Sequence, residues 1–140
     1  MRRIMVYTIL IIPLILFPVC SEKIFPWDVD CDECYTIKPD SVDLVINWTK
    51  NNEYPEIPVL LYKGKVDVGE FIDTFFCFDV PAYIWVKANE EYSVRAIYAS
   101  DDRTVMVVDG TNQKLKRVSD YCDEPCWVVT QENLYLELKY

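Results

Sequence analysis

The cysteines carry the most chemistry per residue in this chain. Cys31 and Cys34 stand as C-D-E-C, Cys122 and Cys126 as C-D-E-P-C, Cys77 sits alone in F-F-C-F, and Cys20 lies near the N-terminus. The two close pairs invite three readings. In an oxidising compartment they are disulfide candidates, and four cysteines allow three connectivities that spacing cannot separate. As four thiolates they would suit tetrahedral zinc, since C-x2-C is ligand spacing, although the second pair is wider and far away in sequence. As a redox dithiol, C-D-E-C would be poorly placed, because Asp32 and Glu33 raise a thiol pKa instead of lowering it. The disulfide reading fits the rest of the chain best, so no metal and no cofactor is expected. Cys77 between phenylalanines reads as a small buried hydrophobe.

Other chemistry is thinly represented. The 140 residues include no histidine, which removes the usual general base, the commonest nitrogen ligand for metals and the neutral-pH proton switch. Fourteen basic residues against 23 acidic ones give a net charge of −9, so a phosphate backbone would be repelled and nucleic acid is not an expected partner. Asp28, Asp30 and Asp32 alternate like the opening of a calcium loop. The sixth position is Glu33 where glycine is needed, and the twelfth is Pro39 where a bidentate glutamate belongs. Among 23 carboxylates no acid/base pair stands out, and three glycines leave little for phosphate-cradling loops. No catalytic residue is assigned. Four tryptophans and ten tyrosines are the remaining excess. Tyr83 and Trp85 share one face of a strand whose other face carries Ile84 and Val86, which makes them the ligand-binding candidates. Asn47-Trp48-Thr49 fits a glycosylation sequon but falls in mid-strand.

These residues must be delivered and positioned by the rest of the chain. Arg2 and Arg3 precede an apolar run from Ile4 to Phe17, and polar Ser21, Glu22 and Lys23 follow, which is the layout of an export signal. The run is too short for the roughly 20 apolar residues of a bilayer span, and it contains Pro13. Export would place the cysteine pairs where disulfides persist. Residues 1–19 read as the signal, with an alternative cut after Ser21. Residues 20–38, with Pro26 and three aspartates, read as a tether, and 39–140 as one domain.

Alternation with a period of two dominates that domain. Val42, Leu44, Ile46 and Trp48 share one face of a first strand, and Val59 to Lys63 forms a second. Phe71 to Phe78 is apolar on both faces, as a central strand would be. Ala82 to Ala88 and Tyr92 to Tyr98 follow. Thr104 to Val108 leads into Asp109-Gly110, a hairpin signal with Lys114 to Val118 returning; Asn112 to Val118 is also the sole helix candidate. Trp127 to Thr130 and Leu134 to Leu138 read as a closing hairpin. Seven or eight short strands point to an all-β antiparallel sandwich.

The strand succession from about Pro39 to Tyr140 resembles immunoglobulin-like or fibronectin-type-III-like modules. Leu16-Phe17-Pro18-Val19-Cys20 resembles the end of a bacterial lipoprotein signal, in which the cysteine is acylated, although Val19 stands where Gly, Ala or Ser is usual. Together with the all-β mature chain, and with Asp40-Ser41-Val42 looking like a short O-glycosylation signal of such bacteria, this resembles small exported lipoproteins of Bacteroidetes type. The resemblance implies lipidation at Cys20, contact with a membrane through that lipid, and a place at the outer membrane or cell surface, or else in the periplasm. The expectation is a non-enzymatic binding or assembly module of the cell envelope, with carbohydrate recognition through Tyr83 and Trp85 as the alternative.

Overall fold

The structure, a computed structural model, describes residues 29–120 and 122–139. Its strands are β1 (Ser41–Trp48), β2 (Ile57–Lys63), β3 (Glu70–Cys77), β4 (Ala82–Lys87), β5 (Glu91–Ala99), β6 (Thr104–Asn112), β7 (Lys114–Val118), β8 (Cys126–Thr130) and β9 (Asn133–Leu136). They form one sheet in the order β4-β1-β9 and a second in the order β3-β2-β5-β6, with β7 and β8 pairing as a separate ribbon. The two larger sheets pack face to face, giving the expected all-β sandwich.

The period-two pattern explains the packing. β1 turns Val42, Leu44, Ile46 and Trp48 inward, joined by Ile84 and Val86 of β4 and Leu134 and Leu136 of β9. From the other sheet come Ile57, Val59 and Leu61 of β2 and Tyr92, Val94, Ala96 and Tyr98 of β5. Burying each large side chain stabilises the fold by about 1.5–3 kcal/mol. Tyr98 also ties the layers together. Its ring meets Tyr54 edge to face at 5.1 Å, its hydroxyl donates to the Leu136 carbonyl at 2.7 Å, and it accepts from the Thr49 amide at 3.0 Å. On one flank the sheets meet through side chains, with the Tyr135 amide donating to Asp109 at 2.7 Å and the Thr111 hydroxyl donating to the Gln131 carbonyl.

Four sequence expectations need correction. β3 is not central but an edge strand, and Phe71 and Phe76 are 53% and 56% exposed. Asp109-Gly110 is not a turn. It lies inside β6, where Gly110 pairs with Ser93 and a Cβ would make only ordinary contact with the Ser93 Cβ and the Tyr92 carbonyl at 3.4 Å. Residues 114–118 form the strand expected of them, without the alternative helix, but they pair with β8, not with β6. The expected closing hairpin does not form. After Gln131, at φ 59°, the chain leaves β8 and β9 runs parallel to β1, with the Val45 amide donating to the Glu132 carbonyl at 3.0 Å. Parallel pairing needs partners distant in sequence, which local alternation does not report.

Candidate functional site

Two disulfides fix the segment before β1. Cys31 bonds Cys122 and Cys34 bonds Cys126, each with Cα atoms 5.7 Å apart, so the pairing runs between the clusters and not within them. A backbone bridge reinforces them. The Tyr35 amide donates to the Trp127 carbonyl at 2.9 Å, and the Trp127 amide returns the bond to Tyr35 at 2.8 Å. Lys38 lies 5.2 Å from the centre of the Trp127 ring. Residues 31–35, within the segment expected as a tether, are thus bound to β8 and the loop before it.

This attachment carries acidic residues over the outer face of β1. A cleft of about 640 Å³ opens there, with Asp30, Asp32 and Glu33 on one side, Asp43 and Tyr83 on the sheet, and Glu132 from the β8–β9 loop. Burial raises the Glu132 pKa above its ordinary value, and the negative charges of Glu33 and Asp43 add to the effect. A carboxyl so placed holds its proton to higher pH than a free glutamate, while the acids clustered around it make the cleft attractive to cationic groups.

Tyr83 and Trp85, the binding candidates, are 63% and 64% exposed, while Ile84 and Val86 between and beyond them are buried. β4 is an edge strand, and its register sets Trp85 opposite Asp43 and Tyr83 opposite Val45. On the far side of β1, Asn47 lies opposite Tyr135, a third exposed aromatic. One outer face therefore presents aromatic planes beside the acidic cleft. The Asn47 side-chain amide donates to the Leu134 carbonyl at 3.4 Å, so the sequon asparagine is engaged within the sheet.

The cleft acids escaped the sequence reading because they are five among 23, and only the attachment of residues 31–35, by the disulfides and the Tyr35–Trp127 bridge, brings Asp30, Asp32 and Glu33 to Asp43 and Glu132. Cys77, the last residue of β3, is a buried unbonded thiol, and desolvation pushes its pKa up to about 11, which leaves it protonated and unreactive. Cys20, the apolar run before it and Asp28 lie outside the described residues. Among the described residues no helix is long and apolar enough to cross a membrane. Compared with protein-family models, with curated proteins and with solved structures, the chain matches none.

Proposed function

We propose that this chain is a non-enzymatic binding or assembly module of a bacterial cell envelope, exported by its N-terminal signal and held to the membrane by a lipid on Cys20. The observation that carries the reading is the outer face of β4-β1-β9, where Tyr83, Trp85 and Tyr135 stand exposed beside the acidic cleft. Large aromatic side chains placed together in water are interface chemistry, since they offer apolar area at little entropic cost. Two disulfides that span 91 and 92 residues suit an oxidising, extracytoplasmic location. Strand order β4-β1 facing β3-β2-β5-β6 supports an immunoglobulin-like arrangement. An enzyme is disfavoured because Glu132 has no histidine or activated nucleophile to work with.

The test places a photo-crosslinking residue at Trp85 and, separately, at Met106, which is exposed on the other sheet. In cells of the host, envelope adducts are expected from position 85 alone. Equal adducts from both positions would refute a dedicated face. The intact mass of the native protein is expected to begin at an acylated Cys20; a mass beginning at Glu22 would remove the anchor and leave a soluble exported module.

A carbohydrate reading follows from the same pair, because Tyr83 and Trp85 present ring faces on which sugars stack. A glycan that quenches tryptophan fluorescence in the parent protein and loses at least tenfold in affinity in Trp85→Ala would establish it. If the quenching survives that substitution, the aromatic face is not a sugar platform.

A further inference from the structure

We propose that the outer face of β3-β2-β5-β6 pairs with the same face of a second copy of this chain, about a two-fold axis that crosses β5 at Ser93. The period of two and the strand register lay this face out. Tyr92, Val94, Ala96 and Tyr98 of β5 point into the core, so Glu91, Ser93, Arg95 and Ile97 point outward. Thr74, Leu60, Arg95 and Val108 stand in line across the four strands, and Phe71, Tyr62, Ser93 and Gly110 form the rank beside them. Phe76 and Met106 continue the face on the other side of Arg95. In a chain with 23 acidic residues these ranks hold no carboxylate, and Phe71, Phe76, Met106 and Val108 are exposed on them. A contiguous apolar face of this kind marks an interaction surface.

The charges select a second copy as the occupant. Arg95 is the one charged residue in those ranks; its guanidinium lies 5.6 Å from the centre of the Tyr62 ring, and it joins no ion pair among the described residues. Glu91, outward and exposed at the end of the face, joins none either. The two residues stand at equal distances on either side of Ser93. A two-fold axis lying in the interface and crossing the strands there sets each Arg95 against the Glu91 of the other copy, so the face is complementary to itself. The same axis carries Val68, 85% exposed in the β2–β3 loop, toward the end of the face that holds Phe76. Small Ser93 and Gly110 lie on the axis, where they let the two sheets close to the spacing of about 10 Å at which sheets pack.

The area suffices for a reversible dimer. Four strands about 4.8 Å apart and seven residues of about 3.4 Å each, from Glu91 to Ile97, span roughly 19 Å by 24 Å, so two copies together cover on the order of 1,000 Å2. That reaches the size a specific interface needs and lies below that of an obligate one. The face is on the opposite side of the sandwich from Tyr83 and Trp85, and the pairing stands or falls independently of them.

The experiment follows the full exported chain, with its disulfides intact and in detergent, by analytical ultracentrifugation. A concentration-dependent equilibrium between monomer and dimer is expected. Arg95→Glu and Glu91→Arg each place like charges across the axis twice, and each should weaken the dimer at least tenfold. Mixed in equal amounts, the two variants should dimerise with each other, because every pair across the axis is again opposite in sign. A photo-crosslinking residue at Met106 should capture only a second copy, as an adduct of twice the chain's mass. A parent chain that stays monomeric at millimolar concentration would overturn the pairing. So would single variants that dimerise as well as the parent, a mixture that stays monomeric although both variants melt like the parent, or capture of a different protein at position 106.

Discussion

At the scale of single residues, the strongest constraints come from polar atoms placed among apolar ones. The Tyr98 hydroxyl has both its donor and its acceptor role filled, and burial raises its pKa. Tyr98→Phe leaves the Leu136 carbonyl and the Thr49 amide without that partner, so urea denaturation should show a loss of about 1–3 kcal/mol. Glu132 works in the opposite direction. Its folded pKa lies above the unfolded one, so its contribution is fully present below the ordinary glutamate value of about 4.3 and is lost as pH rises through the folded pKa. Glu132→Gln should therefore melt higher than the parent at pH 7, and the difference should disappear below about pH 4. A variant that melts lower at pH 7 would mean that the carboxylate is held by a favourable partner instead of being desolvated. Glu90 is shifted the other way, chiefly by its hydrogen bond to Lys63 at 2.7 Å, but Lys63 is half exposed and solvent screens the pair, so its effect on stability is slight.

At the scale of elements, apolar composition and position part company in β3. Phe71, Ile72 and Phe76 would suit a covered strand, yet they face solvent at a sheet edge. A register shift between Leu61 and Tyr62 of β2 marks a bulge opposite, and Asp73 pairs with inward-facing Leu61; both features blunt edge-to-edge pairing. Phe76→Lys should thus change the melting temperature by less than a few degrees while lowering the aggregation rate of concentrated protein measured by light scattering. By contrast, Leu44→Ala, a fully buried position of β1, should show a loss of about 2–5 kcal/mol by urea denaturation. If Phe76→Lys proved as damaging as Leu44→Ala, the assignment of β3 as an edge would be wrong.

At the scale of the whole molecule, the two disulfides close nearly the same long loop. Either one supplies most of the entropy reduction in the unfolded chain, and the second then closes only a short ring. Removing one pair, as Cys31→Ser with Cys122→Ser, should cost roughly 2–3 kcal/mol, and removing both roughly 7 kcal/mol. The double loss should exceed the sum of the single ones in a double-mutant cycle. Additive losses would show that the staples act through native contacts and not through the unfolded ensemble. Reduction should also open the acidic cleft, because Asp30, Asp32 and Glu33 reach it through the segment those bonds fasten.

Local patterning was enough to place a strand segment at each of the nine strands and to turn Val42, Leu44, Ile46, Ile84 and Leu134 toward the core, because side-chain direction in a strand depends only on the residue's place in a period of two. For the same reason Tyr83 and Trp85 were legible as an outward pair. What the sequence left open were the relations between segments distant along the chain: Cys31 with Cys122 and Cys34 with Cys126, β9 beside β1, β7 with β8 instead of β6, and β3 at an edge. Each of these is a choice among pairings whose local signals are equal, so it is decided by which arrangement buries the most apolar surface and closes the fewest costly loops at once. The acidic cleft belongs with them. Its carboxylates are ordinary in sequence and become a site only where tertiary packing brings them together.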